Sequence, residues 1–156
     1  MKALTSRPTL IEWGIIGFGA WHSRDIFHAW MHSPKDRGSG ILFLVWIFPF
    51  AISLLRCSEA PTKFRTSAAA IALVLILAGA LGHLNALVYL GFAASVTAAA
   101  WSDRPLSAAA WLLGSSAWMP ATTYVLISFP LTMILIIKIA LLLPTIVVLL
   151  TPRKNL

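Results

Sequence analysis

SAAAIALVLILAGALGHLNALVYLGFAASVTAAAW, residues 67–101, runs for 35 residues without a charge. As one helix it would be about 52 Å long, against a hydrocarbon core of roughly 30 Å. A single straight span does not use up such a segment, so it is expected to fold back on itself. The polar interruption Gly82-His83-Leu84-Asn85 lies at its middle and offers residue types that tolerate turn geometry. Two antiparallel spans follow, Ser67 to Leu81 and Ala86 to Trp101. The rival reading is one tilted helix with His83 and Asn85 facing protein.

The rest of the chain has the same character. Of its 156 residues, 59% are hydrophobic and 11% charged, where a soluble domain carries about a quarter charged. The mean hydropathy is +0.85. These values exclude an ordinary soluble domain and a disordered chain, and one cysteine, Cys57, excludes an internal disulfide. The fold class expected is all-α: a polytopic transmembrane helical bundle of about six spans, or five, forming a single integral-membrane domain over residues 1–156.

Charges, prolines and polar turns delimit the other spans. The first runs from Thr9 to Met31, with a polar outer third from His22 to His32. Lys2 and Arg7 precede it as in a signal peptide, but Glu12 interrupts its apolar part and no small-x-small site follows, so it reads as a retained helix. Gly40 to Leu55 is the second and contains Pro49, a helix-kinking residue. Leu106 to Ser128 is the fifth, with a break at Met119-Pro120. A turn at Phe129-Pro130 leads into the sixth, Leu131 to Leu150.

The net charge of +7 falls in the connections. Lys2, Arg7, Arg56, Lys63, Arg65, Arg104, Arg153 and Lys154 lie on one side and Lys35 and Arg37 on the other, an eight-to-two bias that puts both termini in the cytoplasm. No basic patch interleaved with stacking aromatics occurs, so nucleic acid is not an expected partner. The tryptophans, among them Trp13, Trp30 and Trp101, read as anchors at the membrane interfaces.

Four polar residues, His22, Asp25, His28 and His32, share an arc of about 120° on one continuous helix, with the i, i+4 spacing of His28 and His32 suited to a metal ion. Metal ligation, proton relay and headgroup contact fit this cluster, as does a polar helix end resting in the interface beside Arg24. Lys138 is the one charge between Leu106 and Leu150. Its burial in lipid costs about 2.5–3.5 kcal/mol, so it needs a partner, and Asp25 and Glu12 are the acids expected to supply one, within the chain or at a subunit contact. Small residues such as Gly79, Gly91 and Ala98 to Ala100 suit close helix packing.

AWMHSPKDRGSGILFLVWIFP (residues 29–49), the segment from Gly82 to Leu90, and SAWMPA (residues 116–121) together resemble the leading half of exosortase and archaeosortase proteins. The resemblance implies a polytopic inner-membrane protein of a family that cleaves and transfers C-terminal sorting signals with a cysteine nucleophile, an arginine and a histidine. That set is not recognisable here. Cys57 is followed by Ser58 and Glu59, no matching downstream Arg and His pair exists, and no family catalytic residue carries over.

The function expected is therefore a noncatalytic multi-pass subunit, in the bacterial inner membrane, that scaffolds or stabilises a larger complex, with energy-transducing complexes among the hosts considered. Its partners would be other integral membrane proteins and the bilayer. The sequence requires no cofactor, while leaving room for a bound lipid or pigment. The alternatives are a small transporter or channel built around Lys138 and Asp25, and an exosortase-like sorting protein.

Overall fold

The structure, a computed structural model, describes residues 8–53, 63–100 and 105–150. Among them are eight α-helices and no strand: α1 (Leu10–His22), α2 (Asp25–His32), α3 (Ser39–Ser53), α4 (Lys63–Leu81), α5 (Asn85–Ala100), α6 (Pro105–Ser115), α7 (Pro120–Val125) and α8 (Leu131–Leu150). Helices α4 and α8 are long and apolar enough to cross a membrane, and α3 and α5 are shorter apolar helices. Cys57, Trp101 and the orientation-setting residues Lys2, Arg7, Arg56, Arg104, Arg153 and Lys154 lie outside the described residues.

The 67–101 segment does fold back. His83 takes a left-handed backbone conformation, φ 53°, while Leu84 and Gly82 donate backbone bonds to Gly79 and Ala78. That bonding closes the last turn of α4 and sends α5 back along it. The single tilted helix is thus ruled out. Gly79 and Gly91 set the separation of the pair, since a Cβ on Gly79 would stand 2.7 Å from the Val88 nitrogen and one on Gly91 2.7 Å from Ile76 Cγ1.

Helix α5 is the centre of the fold, packed on α4, α1, α6 and α3. From Val88 onward nearly every one of its side chains is buried, and most are Ala, Gly, Ser or Val. Small side chains let four neighbours approach one helix axis, which is how helices associate where lipid is as apolar as leucine.

Span one breaks where its polar third begins. Thr9 and Glu12 start α1 with a capping box, in which Thr9 Oγ1 accepts from the Glu12 amide and the Glu12 carboxylate accepts from the Thr9 amide. The helix stops at His22, tight backbone bonds Ile26 to Ser23 and Phe27 to Arg24 turn the chain, and α2 follows.

The fifth segment is discontinuous. Helix α6 ends at Ser115, residues 116–119 form turns, and Pro120 starts α7 in the first-turn position that tolerates a missing N–H. A Cβ on Gly114 would collide with Thr145, about 21 Å along α8 from its start, so the break lies deep in the fold. Ala117, Trp118 and Met119 are buried there, and side chains take up carbonyls at and beside the break. Trp30 Nε1 donates to the Trp118 oxygen at 3.1 Å, Thr122 Oγ1 to the Ser116 oxygen at 2.6 Å, and Trp46 Nε1 to the Trp111 oxygen at 2.9 Å. Irregular backbone survives at such a depth only when protein satisfies it.

These bonds correct the reading of the tryptophans. Trp46, Trp111 and Trp118 are fully buried and Trp30 is 9% exposed, packed with Phe43 and Phe92 into one aromatic cluster. Trp13 and Trp21 remain on the surface as anchors would.

Candidate functional site

The most concentrated buried chemistry joins three segments far apart in sequence. The turn between α2 and α3 brings Asp36, the first residue of α3 is Ser39, α7 contributes Thr123, and α8 contributes Lys138. All four are more than nine-tenths buried. Lys138 Nζ donates to Asp36 Oδ1 at 2.8 Å and to Ser39 Oγ at 2.7 Å. The Thr123 hydroxyl donates to the same Asp36 oxygen, and Ser39 Oγ lies 3.4 Å from it.

This is a correction to the expected pairing of Lys138 with Asp25 or Glu12. Lys138 lies about 10 Å from the start of α8, within reach of a connecting turn folded inward. Asp36 sits between Lys35 and Arg37 in a turn that reads as solvated, which concealed it as a partner for a buried charge.

Chemically, the cluster is an ion pair braced by two hydroxyls. Lys138 Nζ donates to both Asp36 and Ser39, and the arrangement ties α3, α7 and α8 together. A cavity of about 560 Å³ borders it on the side of Asp36 and Thr123, with Asn85, Tyr89 and Tyr124 in its walls. A second, of about 280 Å³, borders it on the side of Ser39 and Lys138. Lys35 closes onto the connection after α7 through a bond from Nζ to the Ile127 oxygen, 2.5 Å.

Glu12 has a different partner from the one expected. Its carboxylate is held in the fork of Arg65, with Nη2 donating to Oε2 at 2.5 Å and Nε donating to Oε1. Arg65 is fully buried in the first turn of α4. It therefore serves as a packing residue between α1 and α4 and not only as a loop charge. The Thr9-x-x-Glu12 spacing is a helix-start signature legible in the sequence, and the arginine fork is what drives the rest of that carboxylate inward.

Arg24 is exposed at the α1–α2 break, its guanidinium 5.0 Å over the Trp21 ring. The break separates His22 from the helix that carries Asp25, His28 and His32, so the shared face of one continuous helix does not form. His28 and His32 stack, ring centroids 4.0 Å apart, and His32 Nδ1 lies 3.0 Å from the His28 oxygen. His22 Nδ1 bonds the Phe18 oxygen in the same way. Among the described residues no three His, Cys, Asp or Glu side chains gather at metal-binding distance.

Compared with protein-family models, curated proteins and solved structures, the chain matches none.

Proposed function

We propose that the chain is a polytopic protein of the bacterial inner membrane, with six spans and cytoplasmic termini, that acts as a noncatalytic subunit stabilising a larger membrane complex. The spans would be α1 with α2, α3, α4, α5, the discontinuous α6–α7, and α8. One observation carries the reading: the described buried charges close on each other inside the bundle while apolar helices turn large hydrophobic side chains outward. Helix α8 exposes Leu135, Ile136, Ile139, Leu143 and Val147, and α3 exposes Ile41, Leu44 and Phe48. Such continuous apolar surface suits lipid and neighbouring helices and not water.

The exosortase-like segments fit this role as architecture. Residues 29–49 and 116–121, the segments that carry the resemblance, meet through the bond from Trp30 to the Trp118 carbonyl.

The test is gentle detergent extraction of the tagged protein from its native membrane, with identification of retained proteins and an absorption spectrum. Stoichiometric integral-membrane partners are expected. A lone monomer would overturn the subunit reading in favour of a small transporter, for which the broken α6–α7 segment beside the 560 Å³ cavity is the favouring observation.

A further inference from the structure

A third cavity, about 290 Å³, lies among α1, α2, α3 and α5, apart from the Asp36–Lys138 cluster. Its walls are aliphatic and aromatic, including Ile16, Ile26, Ile47, Phe92 and Val96, with Ser23, Trp30 and Trp118 bringing hydrogen-bond donors, of which the Trp30 N–H is spent on the Trp118 oxygen. Ser23 is 4% exposed and Trp118 is fully buried, and neither the Ser23 hydroxyl nor the Trp118 indole N–H has a partner in the protein. Buried donors are ordinarily satisfied, so the unpartnered Ser23 hydroxyl in the lining of an apolar cavity marks a place for an acceptor that comes from outside the chain.

The surroundings define that acceptor. Ala20 and the half-exposed Phe27 belong to the same lining and also reach the outer surface of the bundle, so the cavity opens sideways. A volume at the bottom of the usual small-molecule range of roughly 300–1,000 Å³ suits a single flexible chain. Ser23 stands at the α1–α2 break, where exposed Arg24 offers a guanidinium to an anionic headgroup, with Asp25 exposed beside it.

We infer that this cavity takes one acyl chain of an anionic membrane phospholipid, with its ester carbonyl accepting a hydrogen bond from the Ser23 hydroxyl. The inference rests on the reading of the chain as a bilayer protein. The ester carbonyl can only accept and the Ser23 hydroxyl can donate, so the match is one of hydrogen-bond type as well as of polarity. The chain then fills space between α1 and α3 that the protein's own side chains leave open.

The test uses the full chain reconstituted in phosphatidylglycerol vesicles carrying a trace of the same lipid with a diazirine on one acyl chain. After photolysis, labelled positions are read by peptide mass spectrometry. Val96 and Ile26 line the cavity and are buried, whereas Ile136 and Leu143 of α8 face outward. Label at Val96 and Ile26 as well as on α8 is expected, with Val96 label lost in Ile47→Trp and in Ala20→Phe, and lowered in Ser23→Ala, while α8 label persists. Label on α8 with none at Val96 or Ile26 in the unaltered chain would overturn the acyl-chain site and leave the bilayer reading standing. Unchanged Val96 label in Ser23→Ala would overturn the carbonyl contact. Absence of label from α8 and the cavity alike would overturn both the site and the membrane reading beneath it.

Discussion

Replacing Lys138 with methionine removes an ammonium from a site where it is 2% exposed and leaves Asp36, 4% exposed, with only hydroxyl donors. Breaking a buried ion pair from one side typically costs about 3–5 kcal/mol, because the remaining charge stays desolvated. The 560 Å³ cavity beside Asp36 admits some water, which places Lys138→Met near the lower figure. Lys138→Met combined with Asp36→Asn removes both charges and keeps an amide oxygen where the Thr123 hydroxyl needs an acceptor. That double variant should fall within about 1 kcal/mol of the parent, since replacing both partners of a buried pair is often neutral or stabilising. The four proteins form a double-mutant cycle with a coupling of about 2 kcal/mol or more. Reversible unfolding in mixed micelles, driven by increasing denaturing detergent, measures it. Single variants that each cost under about 1 kcal/mol, or a double variant that costs the sum of the singles, would refute the argument that Asp36 and Lys138 neutralise each other.

Further outcomes follow from other contacts. Glu12→Gln leaves the buried Arg65 fork without its carboxylate and should destabilise by about 3 kcal/mol in the same assay, with α1 losing protease protection first. Gly114→Ala places a Cβ 1.8 Å from Thr145 Oγ1 and should cost about 1–3 kcal/mol, most of it recovered when Thr145→Ala is added. Trp46→Phe takes the donor away from the Trp111 carbonyl, with an expected loss of about 1–3 kcal/mol and a change in near-ultraviolet circular dichroism. In a Cys57→Ser background, Ser128→Cys should react with an impermeant thiol reagent on intact cells and Lys63→Cys only after permeabilisation; the opposite pattern would invert the proposed orientation.

The helices themselves were largely legible. Chargeless length and a Gly-His-Leu-Asn interruption foretell the α4–α5 hairpin, because a turn residue such as His83 at positive φ must stand where the chain reverses. The limits of α3, α5 and α8 lie close to the polar punctuation that marks them, and Pro120 marks the break in the fifth segment. The partners were not legible. A carboxylate flanked by Lys35 and Arg37 looks solvated until its turn is folded inward, and Arg65 looks like a loop charge until α4 is seen to begin at Lys63. Tryptophan carries the same ambiguity. An indole suits an interface and equally suits a buried carbonyl, and only the fold shows that Trp30 and Trp46 do the second.

The span between bonded partners also has a meaning in time. Asp36 and Lys138 are separated by 102 positions, and Trp30 and Trp118 by 88. A ribosome works from the amino end, so the Trp30 indole exists before the irregular backbone that needs it leaves the exit tunnel. The carboxylate, in contrast, emerges long before its counter-ion and has to wait until α8 arrives. Docking of that turn against α8 is then a late step of folding, and a nascent chain stopped short of position 138 would leave the turn between α2 and α3 without its counter-ion.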